Sequence, residues 1–222
     1  MVCFGVSLGL ATFARPLGFC RMKGGKMFKK VTLITMLFAL GFFYCQEEEE
    51  EELNPAESGT YMINASSYED WAYFSFSEAG SVSVANPENS HDWDLGFQRL
   101  KIRTNSGTSG PGSSGVINMG AIEFDSLIEA PEEGYVIDTM VIYMPGSPHE
   151  DTVSMNPEMK DWYNMSGGMP PTITAKDTVF VVKTADGKYA KIKLLDYYDL
   201  EGYSGFITFK YSYQPDGSRN LE

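Results

Sequence analysis

From Thr178 to Tyr213 the chain alternates in the two-residue period of a pleated strand. "TVFVVK" (Thr178–Lys183) and "YAKIKLL" (Tyr189–Leu195) flank "TADGK". Asp186-Gly187 suits a tight hairpin, because glycine accepts the positive φ such turns need. In the second segment Ala190, Ile192 and Leu194 alternate with Lys191 and Lys193. That is the pattern of a half-buried strand with its lysines in water. "GFITFKYSY" puts Ile207, Phe209, Tyr211 and Tyr213 on one face. Three antiparallel strands in a meander follow. They must be held by their own core, because the cysteines (Cys3, Cys20, Cys45) all lie near the N-terminus. The folded part is expected to have neither a disulfide nor a thiolate metal site.

Strands are also expected upstream, over Trp71–Ser77, Ser81–Val84, Trp93–Asn105 and Tyr135–Met144. Helical signals are few; Ser67 in "SSYEDW" could cap one short turn. The class is all-β with minor helix: one antiparallel domain over residues 59–222. "SGTSGPGSSG" (Ser106–Gly115) lacks the Gly-Lys-Ser/Thr ending of a phosphate loop, and no helix pattern follows it. It reads as a turning loop.

The N-terminal part reads differently. "MFKKVTLITMLFALGFFYC" (Met27–Cys45) has two lysines, a short apolar run and a cysteine. This is the form of a secretory signal, and it is short for a membrane span. A cysteine after the apolar run resembles the lipobox of bacterial lipoproteins, with Cys45 as the acylated residue. Phe43 and Tyr44 are bulkier than the usual small residues there. Residues 1–26 read as an upstream extension ahead of the true start. Residues 46–58 form an acidic tether. Its "QEEEEEE" resembles the surface-export signal of lipoproteins in the Bacteroides group, and on any reading is a solvated charge run. These features predict a lipid-anchored protein of the outer membrane, exposed at the cell surface and open to shedding. After Cys45 the chain keeps all 30 acidic residues but only 11 of its 17 basic ones, a charge of −19. Such a chain is repelled by nucleic acid, which excludes that class of partner.

The most unusual segment is "MPGSPHEDTVSMNPEMKDWYNMSGGMP" (Met144–Pro170). It shows no clear strand or helix pattern, yet holds five methionines, His149 and Trp162. Methionine is usually a core gap-filler. Met140, just upstream in an expected strand, reads as packing. Met155 and Met159 are four apart and suit one short buried turn. Met144 and Met169 each precede a proline, which puts them in turns or extended loops where a sulfur has little core to fill.

Three stretches carry a resemblance: "WDLGFQRLKIRTNSGTSGPGSSG", "FVVKTADGKYAKIKLLDYYD" and "SGFITFKYSYQPDG". Together with "YEDWAYFSFS" they resemble the HmuY family, haem-binding (haemophore-like) lipoproteins of Bacteroidetes. The likeness runs from about Tyr61 to Gly217. It implies an all-β fold with projecting β-fingers and haem held near their tips. It further implies iron acquisition: haem captured at the cell surface, in some cases from host haem proteins, and passed to a TonB-dependent outer-membrane receptor. Family members ligate the iron with two histidines or two methionines, one from each finger segment. Here His149 lies near the first family position, while the second falls near Ser166 or Gly167, flanked by Met165 and Met169. His91 belongs to another part of the pattern. Bis-histidine ligation is therefore closed, leaving Met–Met or His–Met. Met144 and Met169 are the expected axial pair, with Met165 next and His149 as the alternative at the Met144 end. Thioether sulfur is a soft, neutral ligand that suits ferrous haem. Trp162 and Tyr163 could stack on the porphyrin.

A different function on the same scaffold is a glycan-binding surface lipoprotein, with Trp162 and Tyr163 stacking on sugars. An enzyme is not expected. Two histidines supply no Ser–His–acid set or metal triad, and the carboxylates show no catalytic spacing.

Overall fold

The computed structural model describes residues 55–222. The upstream extension, the signal segment, Cys45 and the acidic run Gln46–Glu52 lie outside the described residues. Among the described residues no helix is long and apolar enough to cross a membrane.

Two antiparallel sheets share one core. The larger contains β1 (Glu57–Asn64), β6 (Gly115–Asn118), β11 (Val179–Lys183), β12 (Tyr189–Tyr198) and β13 (Ser204–Gln214), in the order β1-β13-β12-β11-β6. The smaller contains β2 (Ala72–Ser75), β3 (Gly80–Val82), β4 (Leu95–Gln98) and β5 (Lys101–Thr104), in the order β3-β2-β4-β5. The expected meander β11–β12–β13 is present, and Ile207, Phe209, Tyr211 and Tyr213 all face inward. Phe209 meets Phe74 edge-on at 5.1 Å and Phe97 in a stack at 5.6 Å, which joins the sheets. Aromatic pairs of this kind add to plain area burial.

Three expectations need correction. Trp93–Asn105 is not one strand but the hairpin β4–β5, turning at Arg99 with φ of 53°. The guanidinium of Arg99 holds the turn, donating to the Ser66 carbonyl at 3.2 Å and the Ser204 carbonyl at 3.0 Å. Lys191 is not in water: it is 3% exposed and donates to the Leu127 carbonyl at 2.8 Å. The chain around a short 3-10 turn (Phe124–Ser126) covers that face, with the Phe124 ring 4.8 Å from the ammonium. Ser67 makes the expected cap, accepting from the N–H groups of Glu69 and Asp70. Finally, the segment from Met144 to Pro170 is not irregular; it contributes to two further hairpins.

The first hairpin is β7 (Thr139–Tyr143) with β8 (Asp151–Met155); the second is β9 (Tyr163–Ser166) with β10 (Thr172–Ala175). Each is a separate two-stranded sheet. Asp138 anchors the first. It is buried and accepts from the Thr104 N–H at 2.8 Å, the Thr104 hydroxyl at 2.6 Å and the Asn156 amide at 3.0 Å. The Ser106–Gly115 loop buttresses this base, with Thr108 and Ser109 hydroxyls at 2.5 and 2.7 Å from that of Ser154.

Candidate functional site

The two hairpins carry every sequence-predicted ligand. Met144 follows β7 directly and opens its turn with φ of 48°, while His149 is exposed further along that turn. Met165 lies on β9 and pairs with Ile173 across the hairpin. Met169 is in the β9–β10 turn and is 100% exposed. Met155 and Met159 are fully buried around a short 3-10 turn (Pro157–Met159), as their spacing predicts.

Strand alternation gives each hairpin two unlike faces. On the first, Val141, Tyr143, Val153 and Met155 turn to the core, while Met140 and Ile142 turn outward. Met140 is thus 57% exposed and is not the packing residue its strand position predicts. On the second, Tyr163, Met165, Ile173 and Ala175 share one face, and Asn164, Ser166, Thr172 and Thr174 share the other. Met165 is 50% exposed on the apolar face. Met144 is half-buried and packs against the main core, so it has more core to touch than a loop-tip residue should.

Aromatic residues floor this end of the molecule. Trp162 is 1% exposed and donates its indole N–H to the Leu100 carbonyl at 2.9 Å. It cannot stack on a porphyrin or a sugar, contrary to expectation; it pins the second hairpin to the β4–β5 turn. Tyr163 meets Trp162 edge-on at 5.5 Å. Burial pushes the Tyr143 hydroxyl far above its usual range, and the neighbouring Tyr163 hydroxyl raises it further. Burial likewise pushes Tyr197 up to about 12, opposed by the nearby Arg99 charge. All three phenols are therefore neutral at physiological pH. They form an uncharged floor on which Met144 and Met165 stand one and two residues beyond Tyr143 and Tyr163.

His91 lies elsewhere. It lines a cavity of about 570 Å³ together with Glu78, Asp92, Asp94 and Asp186. That acidic lining repels an anionic ligand. Among the described residues no group of three or more histidine, cysteine or carboxylate side chains could hold a bare metal ion. The donors that remain at the hairpins are thioethers, with one imidazole.

Comparison with known proteins gives this arrangement its context. The model of the HmuY protein family matches residues 67–211. The chain belongs to the HmuY family. A Bacteroides vulgatus structure, described as a candidate HmuY-like haem-binding protein, is 31% identical over 69% of this chain and 90% of its own, with a TM-score of 0.51. The fold also matches the apo HmuY analogue of Tannerella forsythia, at 23% identity, 74% and 99% coverage and a TM-score of 0.58. A candidate lipoprotein of Bacteroides fragilis matches at 23% identity, 71% and 92% coverage and a TM-score of 0.52. No curated protein sequence matches the chain. The HmuY-like fold agrees with the expected all-β class.

Sequence reasoning missed the phenol floor and the outward Met140–Ile142 pair. The first had no signal, because Tyr143, Tyr163 and Tyr197 are brought together only by tertiary contacts. The second had one: Met140 and Ile142 share a parity opposite to that of Val141 and Tyr143.

Proposed function

We propose that this HmuY-family domain binds haem between its two finger hairpins, with a thioether from each finger as axial ligand. Met144 is the ligand from the first finger, with His149 as its alternative. The second ligand comes from Met165 or Met169. The observation that carries this reading is the partition of the methionines. Met155 and Met159 fill the core, while Met165 and Met169 are exposed on a short hairpin whose Tyr163 bonds Tyr143, the residue before Met144. A core role explains the first pair and not the second. The donor set fits iron in haem, since thioether and imidazole are both established axial ligands. Bound haem would supply only an iron centre and a flat apolar face; the chain's part is to hold both.

On this reading the protein is a binding protein rather than an enzyme. It is anchored at Cys45 to the outer membrane and faces outward. It takes haem from the surroundings, including host haem proteins, and gives it to a TonB-dependent receptor. The test is a titration of the domain from Gln46 onward with haem, followed by difference absorption with and without dithionite. A saturable one-to-one spectrum, tighter in the reduced state, is expected for thioether ligation. Equal affinity in the oxidised state would point to His149. The absence of a saturable spectrum in both states would overturn the haem reading.

A further inference from the structure

A second concave surface lies on the edge of the sandwich where β1 and β3 meet. The Tyr61 hydroxyl bridges these strands, donating to the Ser81 hydroxyl at 3.0 Å. Beside it runs a groove of about 500 Å³, with Trp71 and Tyr73 among its apolar residues and Asn64, Ser81 and Ser83 among its polar ones. No charged side chain lines it, in a chain with 30 acidic residues.

Trp71 differs from the other two tryptophans. Trp93 is fully buried and donates its N–H to the Pro87 carbonyl at 3.1 Å. Trp162 is equally satisfied at Leu100. Trp71 is half-buried, and among the described residues its indole N–H has no acceptor. That N–H is open to solvent, where a ligand can accept from it. The ring is nevertheless held. The Arg103 guanidinium sits 4.1 Å from its centroid and is fixed in turn by the Tyr73 hydroxyl. Such a cation–π contact orients the indole as a rigid plate. Asn64 is also fixed: its side-chain oxygen accepts from the Ser66 N–H at 3.1 Å and the Ser66 hydroxyl at 2.7 Å. Its amide NH₂ remains to donate.

The lining selects among ligands. A cationic ligand finds no counter-charge in the lining, and the nearby Arg103 guanidinium is engaged by Trp71 and Tyr73. A wholly apolar one would strand the indole N–H, the Asn64 amide NH₂ and the Ser83 hydroxyl without partners, which costs free energy at each group. A ligand with a flat C–H face and a rim of hydroxyls meets both halves of the groove. We propose that this groove binds a neutral sugar ring, stacked on Trp71 and hydrogen-bonded by Asn64 and Ser83. The site stands apart from the finger hairpins and does not depend on the haem reading.

Three tryptophans give three indole N–H resonances, which makes the test direct. The ¹⁵N-labelled domain is titrated with maltotriose, cellotriose and N-acetylchitotriose. With at least one of them the Trp71 signal is expected to shift and saturate, while the Trp93 and Trp162 signals stay in place. Trp71→Ala should abolish binding with the other two signals retained, which also certifies the fold. Asn64→Ala should weaken it at least roughly threefold, and Met144→Ala should leave it unchanged. If no sugar moves the Trp71 signal, if all three indoles move alike, or if Asn64→Ala binds as the wild type does, the proposal fails.

Discussion

Trp162 and Leu100, 62 residues apart, are joined by a 2.9 Å hydrogen bond from the indole N–H to a buried carbonyl. The bond ties the base of the second finger to the turn between β4 and β5. In Trp162→Phe that carbonyl loses its donor inside the core. A buried acceptor left unpaired costs about 1–3 kcal/mol. Urea unfolding should show a loss of this size. A change below about 0.5 kcal/mol would mean that water replaces the indole.

The first finger depends on a glycine. Gly107 has φ of 54°, and a Cβ there would sit 2.1 Å from the Asp138 carbonyl oxygen. Asp138 is the residue that Thr104 and Asn156 hold at the base of β7. Gly107→Ala should therefore destabilise the domain by about 3 kcal/mol, at the upper end of ordinary point mutations. It should also loosen the first finger, seen as faster amide exchange over β7 and β8 than over β12 and β13. Equal exchange in all four strands would show that the loop gives way instead.

How much of this was legible beforehand follows from local chemistry. The β11–β13 meander could be read because its alternation is long and Asp186-Gly187 marks its turn. The β4–β5 hairpin could not, because Arg99-Leu100 carries no turn residue, and what holds Arg99 at positive φ is contact with Ser66 and Ser204. Lys191 alternates as an outward residue and faces outward from the main core, but the chain around Phe124 covers it. Of the finger strands, β7 falls inside the expected strand Tyr135–Met144, while β8, β9 and β10 are four or five residues long, too short for a period to show. The ligand candidates were legible as residues, since proline neighbours and methionine spacing are local facts. Their setting was not. Trp162 looked like a platform and is a pin, and Met140 looked like packing and faces out.

Asp94 couples the two sheets and carries a pH signature. Its carboxylate accepts from the Phe76 N–H and the Ala185 N–H, both at 2.8 Å. Burial nevertheless raises it above the ordinary 3.8, and those N–H groups only oppose the shift. The folded protein thus takes up a proton where the unfolded chain is still ionised. Between 3.8 and the raised folded value the folded state binds more protons, so this residue's contribution grows as pH falls and is lost as pH rises. Asp94→Asn cannot follow. The stability difference, wild type minus variant, should widen as pH drops from about 7 to about 4. A difference that narrows over that range would reverse the assigned shift.

The last prediction separates the two candidates for the second axial ligand. Met165 is held by the β9–β10 ladder, paired with Ile173 on the face it shares with Tyr163. Met169 sits in the turn with its side chain wholly in solvent. Fixing a free methionine side chain costs up to about 2 kcal/mol of rotamer entropy, and less where the backbone is already set and one face is packed. Met165 reaches the ligated state at lower cost, and we therefore propose it ahead of Met169 as the second ligand. Met165→Ala should lower affinity for reduced haem roughly tenfold or more, equivalent to about 1.4 kcal/mol. Met169→Ala should lower it less than about threefold. Met144→Ala combined with Met165→Ala should remove the six-coordinate spectrum while iron-free protoporphyrin still binds, because the apolar faces of the fingers remain. The opposite ranking of the two single variants would return the role to Met169 and make the turn, rather than the strand, the element that closes on the iron.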